Sequence, residues 1–392
     1  MIWKRRAYLD SAAGMSGNPS SPHEEGRRAK KILEEARTDI ARLAEVQSDD
    51  VIFTSGATEA NALAMLGHVR ALRLLAGPDT VGRNNMHVLY LPSAHASIVE
   101  NAKLLAAEGI AVEPLSIKDF RVDIKALAKM IRPETVLVSM DAVCGETGVV
   151  WNTREVATIL QTHVGLRKSH MDGRPLLHVD ASQAPLTEKI SRAHFDADMM
   201  VLDGAKVGPR GIGVLIAHRT VALEPLYRGG GQERGLRPGS EAPELAQKFA
   251  AALSVAARGR ERFRVAAEKE RARLIATITT NIPHVFVHEG HSQAPNILNL
   301  SLLPTGPLRG GRDTDYLVAL LDEAGFAVST RSACETDSQT GSRAVVALTG
   351  DAEQARATLR ISWGPGIGRS ELSRFAKALA EAVAFIDKGS QG

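Results

Sequence analysis

Residues 176–217 read LLHVDASQAPLTEKISRAHFDADMMVLDGAKVGPRGIGVLIA. Three short apolar runs stand out in this stretch: LLHVD (176–180), MMVLD (199–203) and IGVLIA (212–217). Polar, Gly- or Pro-containing connections bound them, as they bound strands buried on both faces. Similar runs lie upstream at VIFT (51–54), HVLYL (87–91), IAVEPL (110–115) and TVLVSM (135–140), most of them separated by helix-length segments. From His23 to Val46, residues Ala29, Ile32, Leu33, Ala36, Ile40, Leu43 and Ala44 recur every three or four positions, which marks an amphipathic helix. This alternation predicts an α/β fold, a mainly parallel sheet with helices on both faces.

Beyond Glu241 a charged, Ala-rich stretch running to about Thr280 reads as one or two long helices. It is followed by strand candidates VFVH (285–288), ILNLSL (297–302), FAVST (326–330) and LRIS (359–362), with helices near 313–323 and 370–386. That pattern reads as a smaller α+β unit, and 392 residues favour two domains over one. PTGPLRGGRD (304–313) and ETDSQTGSR (335–343) are loop candidates.

Composition removes several function classes. Hydrophobic residues at 44% and charged residues at 24% are globular values, which excludes a disordered or fibrous chain. A net charge of +3 without like-charge blocks, and only 4% aromatic residues, gives no footprint for nucleic acid. No run approaches the roughly 18 apolar residues of a membrane span, and MIWKRRAYLDSAAG has no apolar segment behind its basic residues, so a cytoplasmic protein is expected. The two cysteines, Cys144 and Cys334, form neither a disulfide framework nor a Cys-x-x-Cys metal spacing. Cys334, between a strand candidate and a polar loop, suits a reactive thiol, and Cys144 suits a small core residue.

Candidate chemistry clusters at strand ends. In TSGATEAN (54–61) a Gly-containing turn leads into a helix, so free backbone N–H groups and the Thr58 hydroxyl either hold a phosphate or merely cap the helix. Asp180 closes its strand at the carboxyl end, where open α/β sheets place ligands, with Gln183 three residues on; it reads as a helix cap or as the holder of a heterocyclic cation. Lys206 lies in a Gly-rich turn between two apolar strands, either held against a ligand or solvated at the surface. His95 stands where a helix begins after a strand, structural or catalytic.

The order of these pieces resembles the cysteine desulfurases, pyridoxal-phosphate enzymes of the class V aminotransferase group, along nearly the whole chain. The resemblance is carried by YLD (8–10), GNPSSPHEEGRRA (17–29), VIFTSGATEAN (51–61), SAH (93–95), GETGVV (145–150), HVDASQA (178–184), GPRGIGVL (208–215), GGGQERGLRPGSE (229–241), PNILNLS (295–301), SAC (332–334) and LRISWG (359–364). It implies a fold type I transferase with a mainly parallel seven-stranded sheet, a large cofactor-binding domain at 12–257 and a small domain formed by 1–11 and 258–392. By position it implies that Lys206 bonds the cofactor aldehyde, Asp180 pairs with the pyridinium nitrogen, and Gln183 bonds the ring oxygen. His95 then stacks on the ring and moves protons, while Thr58 and the Ala57 N–H hold the phosphate. Ser240 reaches the phosphate of the other subunit of a homodimer, and Arg360 clamps the carboxylate of L-cysteine. Cys334, on a long loop, takes the sulfur as a persulfide for an acceptor, an iron–sulfur scaffold or a tRNA-thiolating enzyme.

Family members usually have Ser-x-His-Lys before Gly-Pro. This chain has Asp203-Gly204-Ala205-Lys206, and only Val207 separates Lys206 from Gly208 where two residues are usual. Gly145 stands where Asn usually precedes Glu-x-Gly, and Arg331 stands where Gly usually precedes Ser-Ala-Cys. The resemblance therefore implies the loss of two phosphate ligands and one contact to the ring oxygen. In a working enzyme Asp203 is expected to turn away from the phosphate or to pair with a cation such as Arg210. Alternatives are a selenocysteine lyase or aminotransferase of the same fold, and a non-catalytic paralogue that binds a partner, which Asp203 and Ala205 favour.

Overall fold

The computed structural model describes residues 7–14, 17–76, 85–163, 173–303, 314–330 and 341–389. The strands of the first two-thirds of the chain are β1 (Val51–Thr54), β2 (His87–Tyr90), β3 (Ala111–Pro114), β4 (Ile117–Lys118), β5 (Arg121–Val122), β6 (Thr135–Asp141), β7 (Leu176–Asp180), β8 (Met199–Asp203) and β9 (Gly213–Ala217). Seven of them form one sheet in the order β1-β9-β8-β7-β6-β2-β3. Neighbours from β8 to β3 are parallel, and β9 runs antiparallel to both β8 and β1. The reversal follows from chain length, because the connection 204–212 is shorter than the roughly dozen residues a parallel crossover needs. Every residue of β6, β7 and β9 is buried, which is why these strands read as continuous apolar runs rather than alternating ones.

Helices α1 (Glu24–Ala44), α2 (Ala57–Ala62), α3 (His68–Leu75), α4 (Ala96–Ala107), α5 (Ile124–Met130), α6 (Thr153–Gln161) and α7 (Arg192–Phe195) accompany this sheet. The His23 side chain caps α1 by accepting the Gly26 N–H, and Glu24 and Glu25 occupy its electropositive first turn. Between α2 and α3 the coil continues as a π-helical segment, Leu63–Gly67. Gly213 is required at the start of β9: a Cβ there would lie 2.7 Å from the Gly56 carbonyl carbon, in the turn that opens α2.

The expected one or two long helices after Glu241 are a single helix, α8 (Pro243–Asn281). Its first half, with Phe249 and Leu253, packs into the core around the large sheet, and its second half, with Leu274 and Ile278, packs into a second core. The expected boundary after residue 257 falls inside this helix. The second core is built on the antiparallel sheet β10 (Val285–Val287), β11 (Ile297–Leu302) and β12 (Thr358–Ser362). Helices α9 (Thr314–Glu323), α10 (Arg343–Thr349), α11 (Ala352–Arg356) and α12 (Arg369–Gly389) complete the chain. FAVST (326–330) does not form the expected strand. After Gly325, at φ +87°, Phe326 stacks edge-on against Phe375, and among the described residues only Ser329 bridges to Arg360 on β12. None of the helices among the described residues is long and apolar enough to cross a membrane.

A buried ion pair fixes the Gly-rich segment 229–241. Arg37 on α1 donates to both carboxylate oxygens of Glu233, at 2.8 and 2.7 Å, and Glu233 also accepts the Phe53 N–H of β1 at 2.9 Å. Glu233 and Arg234 both sit at positive φ, 48° and 61°, a conformation that costs non-glycine residues on the order of 1 kcal/mol each. The bidentate contact offsets that strain and ties the segment to α1 and β1.

Candidate active site

The carboxyl ends of β6, β7 and β8 open into a cavity of about 300 Å³, whose far wall is formed by Arg343 at the start of α10 and Arg360 on β12. It brings together Ala57, Thr58, His95, Asp180, Gln183, Lys206 and Arg360, side chains drawn from five separate stretches of sequence. Ser240 is not brought in. It is exposed in a separate recess with Thr54, Ser55 and Arg237. Cys334 and Arg331 lie outside the described residues.

Asp180 is 5% exposed, and its charge is held by two N–H donors, Asn61 Nδ2 at 2.7 Å and the Ser182 backbone at 2.9 Å. Asn61, on α2, also donates to Ser97 Oγ at 2.8 Å, and Ser97 Oγ in turn lies 2.8 Å from His95 Nδ1. The Ser97 N–H donates to the same Nδ1 at 3.2 Å, so the neutral ring carries its proton on Nε2. A polar chain thus links His95 to Asp180 through two residues, Ser97 and Asn61, that sequence reading missed. Their only sequence signal was position: one turn into α2 and at the start of α4, beside motifs already suspected.

Lys206 is exposed to the cavity at the end of a short 3₁₀ turn, Gly204–Lys206. Asp203 caps that turn by accepting the Ala205 N–H at 3.2 Å. This corrects the expectation that Asp203 turns away or pairs with Arg210. The tight turn draws its carboxylate inward, so Asp203 lines the cavity, facing Gly56. Burial is the main reason its pKa stands above the ordinary carboxylate value, and the charges of Lys206 and His95 oppose that rise.

Gly145 makes room for Gln183, since a Cβ at 145 would lie 2.9 Å from Gln183 Nε2. Arg360 donates to the Gly145 carbonyl at 3.2 Å. Cys144 is buried as expected, but it also lines the cavity. Burial, with the charges of Asp141 and Glu146 adding to it, pushes its thiol up to about 12, which keeps it protonated and poorly nucleophilic at neutral pH. Three buried polar atoms of the lining, Ser93 Oγ, Ser182 Oγ and Asp141 Oδ1, have no hydrogen-bond partner among the described residues. An amine, a held carboxylate, an imidazole and unspent polar atoms in one cavity suit a polar heterocyclic ligand.

A family model for class V aminotransferases matches residues 6–375. The chain belongs to that family, and within it to the cysteine desulfurases. Cysteine desulfurase IscS 1 of Archaeoglobus fulgidus is 32% identical over 373 residues, covering 94% of this chain and 90% of the relative. A solved NifS-like protein superposes with a TM-score of 0.81 at 25% identity, covering 96% of this chain and 93% of its own. SspA, solved in complex with cysteine, gives a TM-score of 0.69 at 25% identity over 91% of this chain and 92% of its own. Cysteine desulfurases as a family depend on pyridoxal phosphate, and the donor set described above fits that group.

Replacing Asn61 by Ala removes one of the two donors to a buried carboxylate. The loss should destabilise the protein by about 1.5–3 kcal/mol, more than the replacement of Ser97 by Ala, as read by denaturant unfolding. Equal effects of the two substitutions would place the weight of the network elsewhere.

Proposed function

We propose that this chain is a pyridoxal-phosphate-dependent cysteine desulfurase that converts L-cysteine to L-alanine and carries the sulfur on Cys334. The observation that supports it best is the held carboxylate of Asp180 sharing one cavity with Lys206, His95 and Arg360. Bound at Asp180, the cofactor would supply an electron sink for the bond-breaking steps. Asp180 would keep the ring nitrogen protonated, and Gln183, resting against Gly145, would face the ring oxygen. Lys206 would hold the cofactor covalently, and the Ala57 N–H and Thr58 would face its phosphate. His95 would lie over the ring, with its Nε2 proton available for transfer. Arg360 would clamp the substrate carboxylate. The Cys334 thiolate would then attack the substrate sulfur: an S–S bond forms as the C–S bond breaks, and the carbon takes a proton to leave as alanine.

Ser240 lies exposed and outside its own chain's cavity, which favours its acting in the site of a second subunit of a homodimer. The separate core behind β10–β12 favours a small domain, formed by 1–11 and 258–392, that carries the Cys334 segment. An iron–sulfur scaffold or a tRNA-thiolating enzyme is the kind of acceptor the persulfide would serve, and the cytoplasm is the compartment expected for it.

Purified protein supplied with pyridoxal phosphate and L-cysteine should form alanine and, with reductant, sulfide in equal amounts. Cys334→Ala should still change the cofactor spectrum on adding L-cysteine but accumulate no persulfide. Equal sulfide release by both proteins would remove Cys334 from the reaction.

A second reading, a binding subunit with a decayed cofactor site, is favoured by Asp203 lining the cavity. A carboxylate roughly 4 Å from a phosphate charge costs on the order of 4 kcal/mol at an effective dielectric near 20. Cofactor loss on dialysis should therefore be slower for the double variant Asp203→Ser with Ala205→His than for the wild type. Unchanged or faster loss would mean that the shortened turn holds the phosphate in another way.

A further inference from the structure

Asp141 ends β6 directly opposite Asp180 in the parallel register of β6 and β7, so the two carboxyl groups leave adjacent strands on the same side of the sheet. It is 4% exposed and lines the cavity, and its Oδ1 has no hydrogen-bond partner among the described residues. The neighbours divide the charge between the pair. Among the described residues Asp180 has two N–H donors that favour its anion, from Asn61 and Ser182, whereas Asp141 is helped by its own backbone N–H and its Oδ1 has no partner. Carboxyl groups set side by side on neighbouring buried strand ends repel when both are ionised, so the pair favours keeping one proton.

We infer that Asp141 is the proton-bearing partner of Asp180, and that this proton makes the cavity's affinity for a cationic heterocycle rise with pH. The inference deepens the proposed function and rests on it for the identity of the heterocycle. As a positioning residue, Asp141 acts through Asp180 and holds the local charge at one unit.

The groups around Asp141 support this assignment. Burial is the main reason its pKa stands well above the ordinary carboxylate value, and the charge of Asp180 on β7 adds to it. Asp141's own backbone N–H and Arg343 on α10 oppose them, and Glu146, in the turn after β6, acts in the same direction as Asp180. Cys144 stays protonated, and His178, two residues before Asp180, is held neutral by burial, its pKa lowered to about 4. His95, Asp203, Lys206 and Arg360 are the remaining ionisable groups of the lining. A ring cation seated at Asp180 adds positive charge beside Asp141 and so favours release of its proton. Binding and proton release are then linked, and the affinity gained across the titration is about tenfold for each pKa unit by which the cation lowers Asp141.

The test compares wild type with Asp141→Asn, which keeps the size of the protonated acid but cannot ionise, and with Asp141→Ser as a second uncharged variant. Dissociation constants for pyridoxal 5'-phosphate are measured from pH 6 to 9. The ratio of variant to wild-type constants is expected to climb several-fold to tenfold across this range for both variants, and parallel profiles overturn the inference. The cofactor-free proteins are also melted over the same range. A carboxyl whose folded pKa is raised loses stability as pH rises above its unfolded value, so Asp141→Asn should be the more stable protein by a margin that grows with pH. A constant margin overturns the assignment of the proton. Failure of the wild type to bind the cofactor at any pH overturns the proposed function, while the melting series, which needs no cofactor, still decides where the proton sits.

Discussion

A buried negative charge at Asp180 is the constraint around which the rest of the site is arranged. An ionised carboxylate 5% exposed is sustainable only if donors surround it, and the fold supplies them from two directions. The Ser182 N–H comes from the turn that β7 itself enters, and Asn61 comes from α2, packed over the sheet edge beside α4. For Asn61 to reach that point, the turn before α2 must press against the start of β9, which is why position 213 admits only glycine. The antiparallel β9, inserted between β1 and β8, thereby sets the position of α2 relative to β7.

The same charge organises its neighbours. Through Asn61 and Ser97 it is connected to His95, whose tautomer is thereby defined. Opposite it Asp141 is left without a donor on one oxygen, and beyond it Asp203 is drawn inward by its cap on the turn that presents Lys206. A cavity with four acidic side chains in its lining, Asp141, Glu146, Asp180 and Asp203, is balanced by Lys206, Arg343 and Arg360. Its electrostatics therefore depend on which carboxyls keep their protons.

Much of this was legible in the sequence, because the strands of a doubly covered sheet are apolar runs that end where ligands bind. LLHVD, MMVLD and ILNLSL match β7, β8 and β11 residue for residue. What stayed hidden depends on contacts between distant segments. Asn61 and Ser97 are 36 positions apart and meet only through the packing of α2 on α4. Asp141 looked like the residue after a strand, and it became part of the site only through its register with Asp180. FAVST has the residue types of a strand, yet among the described residues a single bridge to Arg360 is all the pairing it makes. The inward position of Asp203 could not be read either, since turn length alone does not tell which way a capping carboxylate faces.

The most direct test of the account is the location of the covalent cofactor. Protein loaded with pyridoxal phosphate is reduced with borohydride, digested and mapped by mass spectrometry. The account predicts one reduced adduct, on the peptide containing Lys206, and its loss when Asp180 is replaced by Ala. An adduct on another lysine, or none at all, would contradict it.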